Sequence, residues 1–487
     1  MTVETIIDRL QRHAYDRPGA RAIASLDRTV TYRELHALVG GCAGWLRSLG
    51  VERGERVGVS IVDDLMHFVV ALGLASLGAA HVTLATHDAV PARSRFAART
   101  GVRRVVAVYP VHALPGLDLI AVDSDLMAAW ARRKPTPLAR PDSSALFTFF
   151  TTSGTTGEAK IIPILHDRIA QQARRVPAGC AFPMSTVEHH FVKRAFVFPI
   201  LGGATVAIRG SSDLPAARLC AALGVDIVVC MTAQARELAA DAPRAGRLPP
   251  ATVVVLSGAR GSAPMRRQLL EQACDAIAVN YGTQESGSVA RVTERDPGRV
   301  TDTVGPPHPG VEVEIVDEHG APLPRGEIGG IRIRAPGMAS GYLDDERATA
   351  AHFRDGWFQP GDLASFTPDG MLIVHGRADD VMNLNGIKIA PVEIERALER
   401  HPAVKAVAAF PLPSGVHGEI PVVAVELAED ARADERELQR FAREALGLRA
   451  PRRVMIVEAL PATPQGKVDL RRLAEMAAAP PSRDAMP

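Results

Sequence analysis

The sequence predicts an α/β protein in two unequal parts, and three observations carry that prediction. Between residues 31 and 300, helical and strand-like patterns alternate, which implies parallel sheets with helices on their faces. From 311 the texture becomes short alternating runs, 311–317 and 329–334, around Gly- and Pro-rich turns, as in small antiparallel sheets. After Arg377 a compact α+β unit of about a hundred residues follows, near the usual size of a domain.

The elements follow in order. Thr31-x-x-Glu34 resembles a capping box, opening a helix that runs to about Leu49. Residues 56–62 read as a strand, and 65–77 as a helix ending near Gly78. Further strands are predicted at 205–208, 226–231, 252–256 and 276–280, separated by helices at 214–223, 233–241 and 264–273. In the last part, 391–400 suits a helix with proline in its first turn. Strands at 403–411 and 421–427, a helix at 433–446 and a strand at 453–458 complete it. The join GRADD, 376–380, is short and polar, and the end of the chain (AAPPSRDAMP) reads as a disordered tail.

Composition narrows the class. The 487 residues are 47% hydrophobic and 23% charged, ordinary for a soluble globular protein. A net charge of +1 gives no field to draw the chain to nucleic acid or acidic membranes. Five scattered cysteines read as reduced thiols, and no run approaches the length of a membrane span. A cytoplasmic enzyme, monomeric or homodimeric, is expected, with no nucleic-acid or membrane partner. Only six of the 56 basic residues are lysines, so a retained lysine can mark a place that needs a compact ammonium.

One lysine closes the most informative segment, TTSGTTGEAK at 151–160. Apolar runs at 146–150 and 161–165 flank it, so one strand enters a flexible loop and another leaves it. Backbone N–H groups bared by Gly154 and Gly157, the hydroxyls of Ser153, Thr155 and Thr156, and the Lys160 ammonium offer phosphates many donors. The spacing departs from G-x-x-x-x-G-K-[ST], because Glu158 and Ala159 separate Gly157 from Lys160. By itself the segment also reads as a Ser/Thr/Gly surface loop.

Four later segments complete a pattern: NYGTQES at 280–286, GWFQPGDLA at 356–364, GRADDVMNLNGIKIAPVEIE at 376–395 and LPATPQGKVD at 460–469. In order, spacing and total length they resemble the adenylate-forming superfamily, which comprises acyl- and aryl-CoA synthetases, adenylation domains and luciferases. The resemblance spans about residues 31–472. It implies a large N-terminal domain of stacked sheets with flanking helices and a small β-barrel-like part (1–376), a hinge (377–381), a small mobile α+β lid (382–477) and a tail (478–487).

The same resemblance assigns roles. Thr152, Ser153, Gly154, Thr155, Thr156, Gly157 and Lys160 would hold the phosphates of ATP. Glu285 would bind Mg2+, although a lone glutamate after a strand is ordinarily a solvated surface residue. Tyr281 would stack near the adenine, with Gly258 and Ala259 lining the slot and Asn280, Gly282, Thr283 and Gln284 beside it. Asp362 would accept the ribose hydroxyls. Arg377 would add a cation there, or serve as an interdomain salt bridge. Lys467 would contact both reacting groups and lower the repulsion between two anions. Asp379 would be the hinge, with Gly386 and Lys388 on the face that meets an acceptor thiol. Gly341 and Tyr342 read as architecture.

For the acid, the resemblance points to 188–206, with His189, His190, Phe191 and Lys193 at the pocket and one of the two histidines, His189 or His190, bordering the carboxylate. The histidines read equally well as polar fillers. Lys193 and Arg194 could meet a second anionic group on the substrate, but a solvated turn or salt bridge is the preferred reading. No aspartate lies between Glu188 and Gly203, which disfavours an α-amino acid. Gln284, Pro360, Asn383 and Lys388 depart from the common pattern, and the last two leave the acceptor open.

The expected reaction joins a small carboxylic acid to ATP, giving acyl-AMP and pyrophosphate, then a thioester with coenzyme A. The alternative ends on the phosphopantetheine of an acyl carrier protein. A luciferase-like oxidase shares these motifs. A silent nucleotide-binding protein is disfavoured because Lys467, Glu285 and the Thr155/Thr156 pair are all present.

Overall fold

The computed structural model describes residues 3–109, 112–133, 138–152, 159–185, 188, 193–257, 261–384, 387–414, 418–428, 431–463 and 468–478. Two sheets with helices packed on them make up most of the chain before residue 300. The first runs, by strand, Asp118–Val122, Arg104–Val108, Arg56–Ser60, Ala80–Thr83, Leu146–Thr152, Lys160–Leu165. Its pairings are parallel except the last, the antiparallel hairpin that carries the 151–160 segment at its tip. The second has eight strands, with Ile277–Thr283, Val253–Leu256, Ile227–Cys230, Ala181–Pro183, Val206–Ala207 and Arg21–Ala24 parallel and one antiparallel strand at each edge.

Local signals act where the spacing placed them. Thr31 caps the Tyr32–Ser48 helix, its hydroxyl accepting from the Glu34 N–H while the Glu34 carboxylate accepts from the Thr31 N–H at 2.8 Å. Asp63 caps Asp64–Leu77, and Gly78 ends that helix in the left-handed conformation at φ 74°. Nearly the whole of Asp64–Leu77 is buried, which its apolar composition requires. The Ile6–Asp16 helix lay outside the sequence reading, although Thr5 and Asp8 form a capping box and Ile6, Ile7 and Leu10 are fully buried.

From 312 the strands Glu312–Val316, Gly329–Arg334, Trp357–Phe358, Asp362–Phe366 and Leu372–Arg377 form an antiparallel sheet. Residues 382–457 build a further sheet around the long Val404–Ser414 and Gly418–Leu427 pair, with Arg453–Val457 added in parallel. Among the described residues, the core of this last part draws on Met382, Leu384, Ile394, Leu398, Val423, Val425 and Leu438, all beyond residue 381. It touches the larger part through Arg396, whose Nε lies 3.3 Å from Asp302. No helix among the described residues is long and apolar enough to cross a membrane.

Candidate active site

The hairpin Leu146–Thr152/Lys160–Leu165 holds its tip in register, with Thr152 opposite Lys160. The apolar residues Phe147, Phe149, Phe150, Ile161, Ile162 and Ile164 are all buried, so the two strands are fixed against the core. Ser153, Gly154, Thr155, Thr156 and Gly157 lie outside the described residues. Lys160 is described. Its ammonium donates to His352 Nε2 at 2.7 Å and lies 5.1 Å from the centre of the Tyr342 ring.

A second hairpin, Ile277–Thr283/Gly287–Glu294, turns through Gln284, Glu285 and Ser286. A bulge falls between Tyr281 and Gly282, and a Cβ at Gly282 would stand 2.3 Å from the Gly287 carbonyl oxygen, so only glycine fits. The turn is anchored from several sides. Ala339 N–H donates to the Glu285 carbonyl at 2.8 Å, and Arg175 donates to the Ser286 carbonyl at 2.7 Å. Arg194 donates to Gln284 through both its side-chain and backbone oxygens, and its Nε reaches Gln172 at 2.9 Å. These contacts bury Glu285 to 5% exposure, where a solvated carboxylate is the ordinary expectation. Its Oε1 accepts from the Tyr342 hydroxyl at 2.8 Å. Burial, reinforced by Glu285, pushes the Tyr342 phenol well above its usual range, so it stays a donor.

The third component is Asp362, which follows Gly361 in a left-handed turn at φ 86°. It begins a strand paired with Leu372–Arg377 and faces Arg377 across the ladder. Tyr281 Oη donates to Asp362 Oδ2 at 2.7 Å, and Arg377 lies 3.6 Å from Asp362 Oδ1. Burial, then the Asp362 carboxylate, raise the Tyr281 phenol. Arg377 also donates to the Pro360 carbonyl at 2.7 Å and stands 3.6 Å from Asp379, which is 70% exposed. Lys160, Gln284, Glu285, Tyr281, Asp362 and Arg377 thus belong to one connected region. Asn280 and Thr283 bond within their own hairpin, to Ser288 and Ser286.

At the acid end, His189, His190 and Phe191 lie outside the described residues, as do Gly258, Ala259, Gly386 and Lys467. Lys193 and Arg194 open a helix, Lys193–Gly202, in place of the solvated turn or salt bridge preferred from sequence. Lys193 is 3% exposed, its Nζ is 5.9 Å from the Phe150 ring centre, and it has no hydrogen-bond partner among the described residues. Burial draws its pKa down to about 7. Lys388 is exposed, opposite Asn383 on the small sheet.

Sequence reasoning missed His352 altogether and placed Tyr342 with the architecture. A histidine at the end of a short helix and a tyrosine in a loop carry no local sign of the residues, far away in the chain, that they meet.

Comparison with known proteins identifies the family and the fold. Residues 10–343 match the family model described as AMP-binding enzyme, and 393–467 match that of the AMP-binding enzyme C-terminal domain. The 2-hydroxy-7-methoxy-5-methyl-1-naphthoate–CoA ligase of Streptomyces carzinostaticus is 29% identical, over 91% of this chain and 88% of the relative. The medium/long-chain-fatty-acid acyl-carrier-protein ligase FadD10 of Mycobacterium tuberculosis is 27% identical, over 98% of this chain and 96% of the relative. The crystal structure of ATP-bound MatB from Rhodopseudomonas palustris shares the fold with a TM-score of 0.85 at 24% identity, covering 98% of this chain and 99% of that one.

Proposed function

The chain belongs to the AMP-binding enzyme family, and from that premise we propose that it is an AMP-forming acid–thiol ligase. A carboxylate oxygen attacks the α-phosphorus of ATP. The bond to the β-phosphate breaks, and acyl-AMP and pyrophosphate form. A thiol then attacks the acyl carbon, loses its proton and releases AMP.

One observation carries this reading. The side chains suited to the phosphate, metal and ribose parts of ATP are already joined, with Lys160 over Tyr342, Tyr342 bonded to Glu285, and Tyr281 bonded to Asp362. Asp362 accepts the ribose hydroxyls, with Arg377 beside it, and Tyr281 lines the adenine slot. Glu285 suits Mg2+, because one oxygen is fixed by Tyr342 and the ion takes one or two carboxylates together with phosphate oxygens. There it would offset phosphate charge. Lys467, on a lid of residues 382–477 hinged at Asp379, orients the carboxylate for in-line attack.

Coenzyme A is the proposed acceptor, as it is for the Streptomyces naphthoate–CoA ligase. A carrier-protein arm is the second reading, supported by the likeness to FadD10, and Asn383 and Lys388 on the small sheet leave the choice between the two open. The test is hydroxamate-trapped pyrophosphate release with a panel of aryl, short-chain and medium-chain acids. One acid should stand out, and adding coenzyme A or a phosphopantetheinylated carrier then identifies the thiol. No release with any acid would remove the proposal.

A further inference from the structure

We propose that His352 is a positioning residue that holds the Lys160 ammonium ready for the phosphates of ATP, and so sets ATP affinity more than the rate of chemistry. This rests on the assignment of 151–160 as the phosphate loop.

The imidazole is held at both nitrogens. Nδ1 lies 2.7 Å from the Gln359 carbonyl oxygen, and Nε2 lies 2.7 Å from Lys160 Nζ. A carbonyl can only accept, so Nδ1 carries the proton, and the Nε2 lone pair faces the ammonium. The ring stands edge-on to Tyr342, with centroids 5.9 Å apart, and is tilted against Phe358 at 6.4 Å. Phe358 is 1% exposed, so the ring rests on a fixed wall.

The choice of residue is the chemical point. A carboxylate here would also orient Lys160, but it would neutralise the ammonium and compete with phosphate oxygens. A neutral imidazole takes one N–H, leaves two free and leaves the positive charge unspent. A lysine side chain has many rotamers to lose, and fixing it in advance removes part of that cost from binding. His352 ends the Glu346–His352 helix, and Gln359 lies three residues before Asp362. One segment thereby fixes both the phosphate and the ribose ends of the site.

The test measures KM for ATP and kcat by pyrophosphate exchange in the full chain, with the melting temperature of each variant. His352→Ala should raise KM for ATP about tenfold, as loss of roughly 1.4 kcal/mol implies, with kcat within about twofold. His352→Gln can accept through Oε1 and donate to Gln359 through Nε2, and should stay within about twofold of the parent KM. His352→Glu should raise KM more than alanine does, although it keeps an acceptor. In a Lys160→Met background, His352→Ala should add nothing. Equal rises for Gln and Ala, or the same rise with and without Lys160, would overturn the proposal. Should His352→Ala fail to fold, the Gln and Glu pair still decides. A parent enzyme that exchanges no pyrophosphate with any acid would instead remove the function assigned above.

Discussion

Two lysines flank the same hairpin, and the fold treats them in opposite ways. Lys160 is held by His352 and lies over Tyr342. Lys193 is more deeply buried, at 3% exposure, but has no hydrogen-bond partner among the described residues. His81 and His166 also have ring nitrogens without partners among the described residues, and burial lowers both imidazoles. The neighbouring Arg194 is fully occupied by Gln172 and Gln284. The end of the site suited to ATP is therefore assembled in advance. The end proposed for the acid keeps a buried lysine whose amine has no hydrogen-bond partner among the described residues, at a cost in stability that a ligand or a neutral amine can offset.

The largest expected effect lies with a third lysine, Lys467, which is proposed to serve both ends at once. Lys467→Ala should lower adenylate formation on the order of 1,000-fold, because it removes the cation between two reacting anions. It should spare much of thioester formation from a supplied acyl-adenylate, measured by release of AMP. Full pyrophosphate exchange by this variant would remove the lid from the chemistry.

Next come the ribose contacts, which test how far the ATP end is prearranged. Asp362→Ala should raise KM for ATP by on the order of 100-fold, since hydrogen bonds to a charged group are worth about 1.5–3 kcal/mol each. Tyr281→Phe, which removes one donor to that carboxylate, should cost only about fivefold. Equal losses would mean that Tyr281 acts through packing.

Lys193→Met sharpens the contrast through stability. The folded pKa of Lys193 is about 7 against an ordinary 10.5, so the folded protein binds fewer protons than the unfolded one between those values. Parental stability should therefore rise with pH across that window and stay flat below it. Lys193→Met should remove the rise and add roughly 1–3 kcal/mol near neutral pH, read from denaturant titrations at pH 7 and pH 9.5. A destabilised Lys193→Met would show that the ammonium is satisfied in solution. A selective loss of affinity for an acid with two anionic groups would place that group at Lys193.

The smallest effects concern the join. Asp379→Pro should slow thioester formation more than adenylation, and equal loss in both half-reactions would remove the hinge. Arg396→Ala, at the partly exposed contact with Asp302, should change stability by less than about 1 kcal/mol.

Much of the fold was legible because its signals are local. Thr31 and Glu34 lie within one helical turn, and Gly78 terminates the helix that it directly follows. The hairpin around 151–160 announces itself by two apolar runs with a polar loop between them. The Ile6–Asp16 helix carried the same kind of capping signal and was still overlooked. Glu285 and Asp362 were identified through motif resemblance, but nothing near them in the chain told which groups they would meet.

What the sequence alone determined is the family, the order of elements and the chemical types gathered for ATP, because these rest on spacing within short segments. What only the tertiary structure decided is the state of each polar group: Lys160 held by a histidine 192 positions away, Glu285 buried beneath Tyr342, Lys193 enclosed without a partner. Burial and hydrogen bonding depend on which distant segments pack together. A side chain's charge and aim are set by neighbours that its own stretch of sequence does not contain.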